Sequence, residues 1–461
     1  MIGKIERGGK NMATNNRLGH EKISKLLFAL AIPSIIAQLV NILYSIVDRM
    51  FVGQIEEVGN VCLAAVGICG PIVTLLSSFG TLVGIGGSIW LSMCLGQKNE
   101  KRASQILYNS FVMLVVLSIC LTLGFILLKH NLIYWFGGSD ALYPYANTYL
   151  TIYTLGTFFA LMSIGLNYFI TGQGYATIAM LSVCIGAITN IMFDFILIRT
   201  LKIGVAGAAI GTVVAQFISC MFVLCFLRFK SKIKLHKEEL SIEKMKHIVK
   251  LGFSPFLIIA SDSIILIVMN MMLQKYGGDM GDIYISAITV AQSYFLLITG
   301  PLLGISSGTQ PIFAYHFGSQ NLKKIKEAFK IVISFAFLFC LVMFIISMCY
   351  SNVFVAMFTN DAMTMPIADR AIKIFCLGIL MMSIQYVLVD GITGLSNVKL
   401  SLFLSLNRKL MYLGCTCLLP AFLGVSNIFY AQPTADIYAS IVTIICFIKI
   451  IPSYLKSHGV K

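Results

Sequence analysis

The run Gly84-Ile-Gly-Gly-Ser-Ile-Trp-Leu-Ser-Met-Cys-Leu-Gly96-Gln-Lys-Asn99-Glu-Lys101 has a counterpart 222 residues on, Ser306-Ser-Gly-Thr-Gln-Pro-Ile-Phe-Ala-Tyr-His-Phe-Gly318-Ser-Gln-Asn321-Leu-Lys323. Gly86 falls on Gly308, Gly96 on Gly318, Asn99 on Asn321 and Lys101 on Lys323. The same offset sets Pro33 on Pro255, Ala65 on Ala287, Phe136 on Phe358, Gly156 on Gly378, Thr171 on Thr393 and Gly172 on Gly394. The chain of 461 residues therefore reads as a duplication. So long a period is not that of a stacked solenoid, and duplicated helical halves around a central site are a common plan for transporters.

Around the repeat, composition sets the solvent. The chain is 58% hydrophobic and 11% charged, with a mean hydropathy of +0.88, whereas soluble domains carry roughly 25% charged residues. A helix needs about 20 mainly apolar residues to cross the bilayer core. Such stretches are predicted near 26–47, 61–90, 106–128, 148–170, 176–198, 204–227, 251–274, 283–311, 330–350, 371–392, 400–420 and 437–455. Six spans return the chain to its starting side, so the halves share one orientation about a pseudo-twofold axis along the membrane normal. The expected fold is an all-α integral membrane protein of twelve transmembrane helices in two six-helix lobes. Its expected parts are an N-terminal segment 1–25, a first lobe 26–227, a connector 228–250, a second lobe 251–455 and a tail 456–461.

The basic residues orient it. With the N terminus in the cytoplasm, 25 Lys and Arg fall on inner segments and 7 on outer ones, with Arg408 and Lys409 inside a span. That bias predicts cytoplasmic termini, a cytoplasmic connector and an outer loop near Glu56 and Glu57, in a plasma-membrane protein. The net charge of +15 then reflects topology and anionic lipid rather than a nucleic-acid footprint. The first apolar run is too long for a removable signal and lacks a small-residue cleavage site, so it is expected to remain as a span. The Lys-rich connector reads as a solvated linker.

The 13 cysteines sit singly in apolar spans and read as small packing residues, because the one close pair, Cys415 and Cys417, points its thiols to different helix faces. Walker, H-E-x-x-H and G-x-S-x-G motifs are lacking, so no cofactor and no ATP hydrolysis are expected.

Four acids fall within predicted spans or, for Asp48, at the edge of one: Asp48, Asp194, Asp262 and Asp390. An ionisable group at bilayer depth costs roughly 2.5–3.5 kcal/mol and is kept mainly where it faces a cavity or a partner. Arg49 adjoins Asp48, but neighbours in a helix point apart, so Arg49 can reach the interface while Asp48 faces inward. Asn190 and Asp194 stack one turn apart. Their oxygens suit a hard cation, and the carboxylate suits a proton equally. Glycines at 80–87 and 302–309 read as close helix packing. The many Met and aromatic residues are mostly packing, and those in a cleft would suit differently shaped apolar cations.

Several runs resemble the multidrug and toxic compound extrusion (MATE) transporters, in particular their MepA-like branch: Ile32-Pro33 with Tyr44-Ser-Ile-Val-Asp48-Arg-Met-Phe-Val-Gly53, Leu63-Ala-Ala-Val-Gly67, Gly84-Ile-Gly-Gly87, Leu95-Gly96, Thr171-Gly172, Asn190-Ile-Met-Phe-Asp194 and Ala431-Gln-Pro-Thr-Ala-Asp436. The resemblance, over about 20–455, implies two lobes facing a central cavity and alternating access driven by Na+ or H+. It implies a cation site at Asp48, Asn190, Asp194 and Thr212, the metal site if Na+ is the coupling ion. In the second lobe Asp262 matches an acid that some branches use for coupling, but the tenth-helix acid expected three residues before Gln385 is Met382 here. Asp262, Asp390 and Gln385 are therefore expected to contact substrate.

The expected activity is antiport of amphipathic organic cations, by a monomer surrounded by lipid and without nucleic acid. A flippase or exporter of lipid-linked or anionic substrates is the alternative, favoured if Arg and Lys dominate the cleft, which is expected to be net acidic. An intramembrane aspartyl protease using Asp48 and Asp194 as a dyad is a remote third.

Overall fold

The computed structural model describes residues 21–460 apart from 54, 56, 57, 137–139, 141 and 357–362. The expected outer loop at Glu56 and Glu57, the repeat partner Phe358, and most of the N-terminal segment lie outside the described residues. The regular elements of the described chain are all helical, without strands.

The first half holds α1 (Ile23–Gly53), α2 (Gly59–Gly96), α3 (Glu100–Trp135), α4 (Tyr143–Leu155), α5 (Thr157–Gly172), α6 (Ala176–Asp194) and α7 (Val205–Cys225). The second holds α8 (Ile242–Gly277), α9 (Gly281–Gly318), α10 (Leu322–Ala356), α11 (Thr364–Phe375), α12 (Ile379–Gly394), α13 (Val398–Leu423) and α14 (Ala431–Ser457). Two predicted spans are broken. The helices α4 and α5 bend by 57° at Gly156, and a 3-10 turn, Cys376–Gly378, separates α11 from α12. Gly156 and Gly378 are repeat partners, and each lets a neighbouring helix of its own lobe come close. A Cβ on Gly156 would lie 2.5 Å from Val213, and one on Gly378 would lie 3.0 Å from Pro433.

The duplication extends to the turns. Lys98 and Gln320 both have positive φ, as do Gly174 and Ser396, and Lys202 and Gly424, each pair separated by the repeat offset. The amide of Asn99 donates to the carbonyl of Cys94, and that of Asn321 to His316. Each Asn side chain then caps the next helix, accepting from the amide of Arg102 or Lys324 at 3.0 Å, which satisfies one of the donors that a helix start leaves open.

The lobes touch through small residues at the end of the bundle where α1 and α8 begin. Gly86 of α2 packs on Ile248 and Gly252 of α8, and its partner Gly308 of α9 packs on Leu30 and Ser34 of α1. Beyond them Gly96 meets Tyr315 while Gly318 meets Met93. Removing side chains where helices cross lets backbones approach, the usual device where water supplies no drive for association.

The 228–250 segment is largely exposed, as a solvated linker should be, but it is not a free one. Its last nine residues are the first turns of α8, and the rest is tied to the first lobe. Lys232 pairs with Glu100 at 2.8 Å, the Ile233 amide donates to Gln173 Oε1 at 2.8 Å, and Asn109 both accepts from the Ser241 amide and donates to the Glu239 carbonyl. The ring of His247 packs at a tilt against that of Trp90, with centroids 4.4 Å apart. Burial, then Lys250 and Arg102, hold its pKa below the usual histidine value, so it stays neutral near pH 7 and fits an aromatic contact.

Candidate functional site

Two chambers lie within the bundle, of about 240 and 330 Å³. Gln38, Tyr168 and Ser307 line both and mark where they meet. The first chamber belongs to the first lobe and is lined by neutral side chains, Asn190 and Thr212 among them. The second is lined by Asp262, Gln385, Asp390, Arg408 and Lys409.

In the first lobe the residues expected to hold a cation come together. Asp194 is the last α-helical residue of α6 before a π turn, Phe195–Thr200, a local irregularity common at functional sites. It is 0% exposed and Asp48 is 9% exposed, and their carboxyl groups lie within hydrogen-bonding range of each other. Asn190 Nδ2 donates to Asp194 Oδ1 at 3.5 Å and to Thr212 Oγ1 at 3.4 Å. The Thr212 hydroxyl in turn donates to the Ala208 carbonyl at 3.0 Å.

Three buried oxygens here, Asp48 Oδ1, Asn190 Oδ1 and Asp194 Oδ2, have no hydrogen-bond partner among the described residues. Two touching carboxyls cannot both stay ionised at low dielectric without a proton or a cation to share. The acceptor-rich donor set fits either one. Room for it depends on Gly211, where a Cβ would lie 2.5 Å from Asp194 Oδ1.

The second lobe treats its acids differently. Asp262, expected to be buried, has a side chain 57% exposed and is ion-paired to Lys409 of α13. Deeper in, Arg408 Nε and Nη2 each reach Asp436 Oδ1 at 2.8 Å. Gln432 Nε2 holds the other oxygen of Asp436 at 2.9 Å, and Tyr386 Oη accepts from Arg408 Nη1 at 3.3 Å. Met382, at the position where an acid was sought, puts its Sδ 3.7 Å from the same guanidinium. Asp390 Oδ1 accepts from Gln310 Nε2 at 2.9 Å, while Asp390 Oδ2 and Gln385 Oε1 have no hydrogen-bond partner among the described residues.

The expectation of a net acidic cleft does not hold for this chamber. Asp262 and Asp390 in its wall are matched by Arg408 and Lys409. Asp436, the buried partner of Arg408, enters the sequence reading only through the family resemblance and is given no role there, because the last span was begun at 437. The helix starts at Ala431, and Pro433 in its first turn, a residue that favours helix starts, was the signal that could have moved the boundary.

A family model, MatE, matches residues 33–196 and 259–411, one segment in each half. The multidrug export protein MepA of Staphylococcus haemolyticus (strain JCSC1435) is 24% identical over 90% of this chain and 91% of its own. A crystal structure of a MATE protein in complex with MaD3S superposes with a TM-score of 0.89, at 23% identity over 96% of this chain and 99% of that one. A second, of a multidrug resistance MATE family transporter of the MOP superfamily in an outward-facing conformation, gives the same TM-score at 22% identity and the same coverage. The touching carboxyls of Asp48 and Asp194 also have the proximity that a protease dyad requires, but the family matched is one of transporters and not of enzymes, which removes that alternative. The chain is a multi-pass membrane transporter of the MatE family, the multidrug and toxic compound extrusion proteins.

Proposed function

We propose that this protein is a secondary active exporter that moves amphipathic organic cations out of the cell in exchange for Na+ or H+, by alternating access between its two lobes. The observation that carries this reading is the contact of Asp48 and Asp194, with three unpartnered oxygens beside it. A site of this kind changes charge when a cation or proton arrives, and an ion can drive a conformational change only if it binds the two states unequally. Asp48, Asn190, Asp194 and Thr212 take the coupling ion. The neutral wall of the first chamber, reached past Gln38 and Tyr168, takes the apolar body of the substrate.

With both termini cytoplasmic in the plasma membrane, as the Lys and Arg bias supports, the end where Gly86, Gly96, Gly308 and Gly318 seal the lobes faces inward. The structure then corresponds to the state that releases substrate outside. The balanced charge of the second chamber gives no support to export of anionic or lipid-linked substrates as the main activity, since Arg and Lys do not dominate it.

The test is efflux of a cationic dye from proteoliposomes of the purified protein under Na+ and H+ gradients imposed separately. Accumulation or efflux driven by one of the two gradients supports the reading. Dye movement indifferent to both overturns it.

A further inference from the structure

The Asp262–Lys409 pair has no part in the coupling site just described. It bridges α8 and α13, lines the second chamber, and is unequally placed: the Asp262 side chain is 57% exposed and that of Lys409 12%. Its neighbour pair, Arg408 with Asp436, is locked by Gln432 and Tyr386. The outer pair has no such reinforcement among the described residues. Asp262 is therefore the acid of this chamber that a solute meets first, and it already holds a cation tethered to the protein.

A plain organic cation gains little there, because it must displace Lys409 from Asp262 and leave an ammonium of like charge beside it. A plain anion has the mirror problem with Asp262. A molecule bearing both charges can exchange partners with each member at once, so that no charge in a partly dehydrated chamber is left without its opposite. Asp390 Oδ2 and Gln385 Oε1, both in the same wall and both without a hydrogen-bond partner among the described residues, add acceptors for the N–H groups of the ligand's cationic end.

We propose that the Asp262–Lys409 pair is a charge-exchange site that admits zwitterionic amphiphiles, taking a protonated amine at Asp262 and a carboxylate at Lys409. Lys409 is then the residue that sets charge selectivity in this chamber. The inference rests on the exporter reading only in supposing that ligands enter the chamber.

The experiment is equilibrium binding to the purified, detergent-solubilised protein of two matched fluorophores, rhodamine 110, a zwitterion through its free carboxylate, and rhodamine 123, its cationic methyl ester. Fluorescence anisotropy reads both. Wild-type protein is expected to bind rhodamine 110 more tightly than rhodamine 123. Lys409→Gln is expected to reverse the order, weakening rhodamine 110 by about tenfold, the loss typical of a desolvated charged contact, and strengthening rhodamine 123 several-fold by freeing Asp262. Asp262→Asn is expected to weaken both dyes, and Asp262→Asn with Lys409→Gln is expected to bind them alike.

Equal losses for both dyes in Lys409→Gln, the signature of a purely structural pair, overturn the proposal. So does the lack of rhodamine 110 binding to the wild type. Gradient-driven efflux of rhodamine 123 in that second case leaves the exporter reading standing, so the two ideas fail separately.

Discussion

Asp48 and Asp194 in the first lobe touch each other and hold no basic side chain among the described residues, whereas Asp262 and Asp436 in the second lobe each grip a cation of α13. Both lobes descend from one repeated unit, so the contrast is in side chains rather than in scaffold. An acid with a resident Lys or Arg has its charge settled by the fold. On the proposed reading, acids that have only each other take a mobile partner, and their ionisation changes in each transport cycle. Duplication supplied two similar frames, of which one sets two acids against each other and the other sets its acids against basic side chains of α13.

The largest expected effects break the first half of this contrast. Asp48→Asn and Asp194→Asn should each lower gradient-driven efflux on the order of 100-fold, within the range of typical coupling energies, while the protein still inserts and elutes as a folded species. Near-normal efflux by both variants would remove the site.

The second half of the contrast is a matter of stability. Asp436→Asn or Arg408→Met leaves one buried charge alone and should cost about 3–5 kcal/mol, read as a lowered unfolding temperature in detergent. Arg408→Met combined with Asp436→Leu should recover most of it, because an apolar pair needs no counter-charge. A double variant no better than the singles would mean that Gln432 and Tyr386, and not the ion pair, set the local fold.

A smaller effect sharpens the role of space at the first-lobe site. Gly211→Ala puts a methyl group 2.5 Å from Asp194 Oδ1, and the carboxyl must give way at about 1–3 kcal/mol. The apparent affinity for the coupling ion, measured as the half-saturating Na+ or H+ concentration for efflux, should weaken about tenfold with maximal rate largely kept.

The smallest effect concerns the frames themselves. Ser396 occupies the left-handed turn that Gly174 occupies in the first half, so Ser396→Gly should relieve strain of about 1 kcal/mol and raise thermal stability slightly, while Gly174→Ser should lower it.

Much of this was legible in the sequence, for identifiable reasons. Span number and lobe symmetry followed from apolar run length and from a repeat so well kept that it governs helix caps at Asn99 and Asn321 and turns at Lys98 and Gln320. Asn190 and Asp194 could be placed on one face from helical spacing alone. Partnership across helices was not legible. Lys409 and Asp262 are 147 residues apart, and no local pattern shows which of several buried acids meets a base. Asp436 was given no role because the last span was begun at 437, six residues after the helix starts at Ala431, since hydropathy fades at helix starts where polar residues are common. The connector's charge pattern matches its largely exposed side chains, while its backbone amides and carbonyls bond to Gln173 and Asn109 of the first lobe, contacts that have no sequence signature.

The central claim is that the coupling ion is handled by the first lobe and not by the second. It is tested most directly by recording the ion flux that accompanies substrate movement in proteoliposomes, with a pH-sensitive dye or 22Na+ uptake, for wild type, Asp194→Asn, and the charge-neutral double variant Asp262→Asn with Lys409→Gln. The account predicts that substrate-dependent ion flux disappears in Asp194→Asn and keeps its wild-type ratio of ions to substrate in the double variant. Coupled flux that survives in Asp194→Asn, or is lost in the double variant, would contradict it.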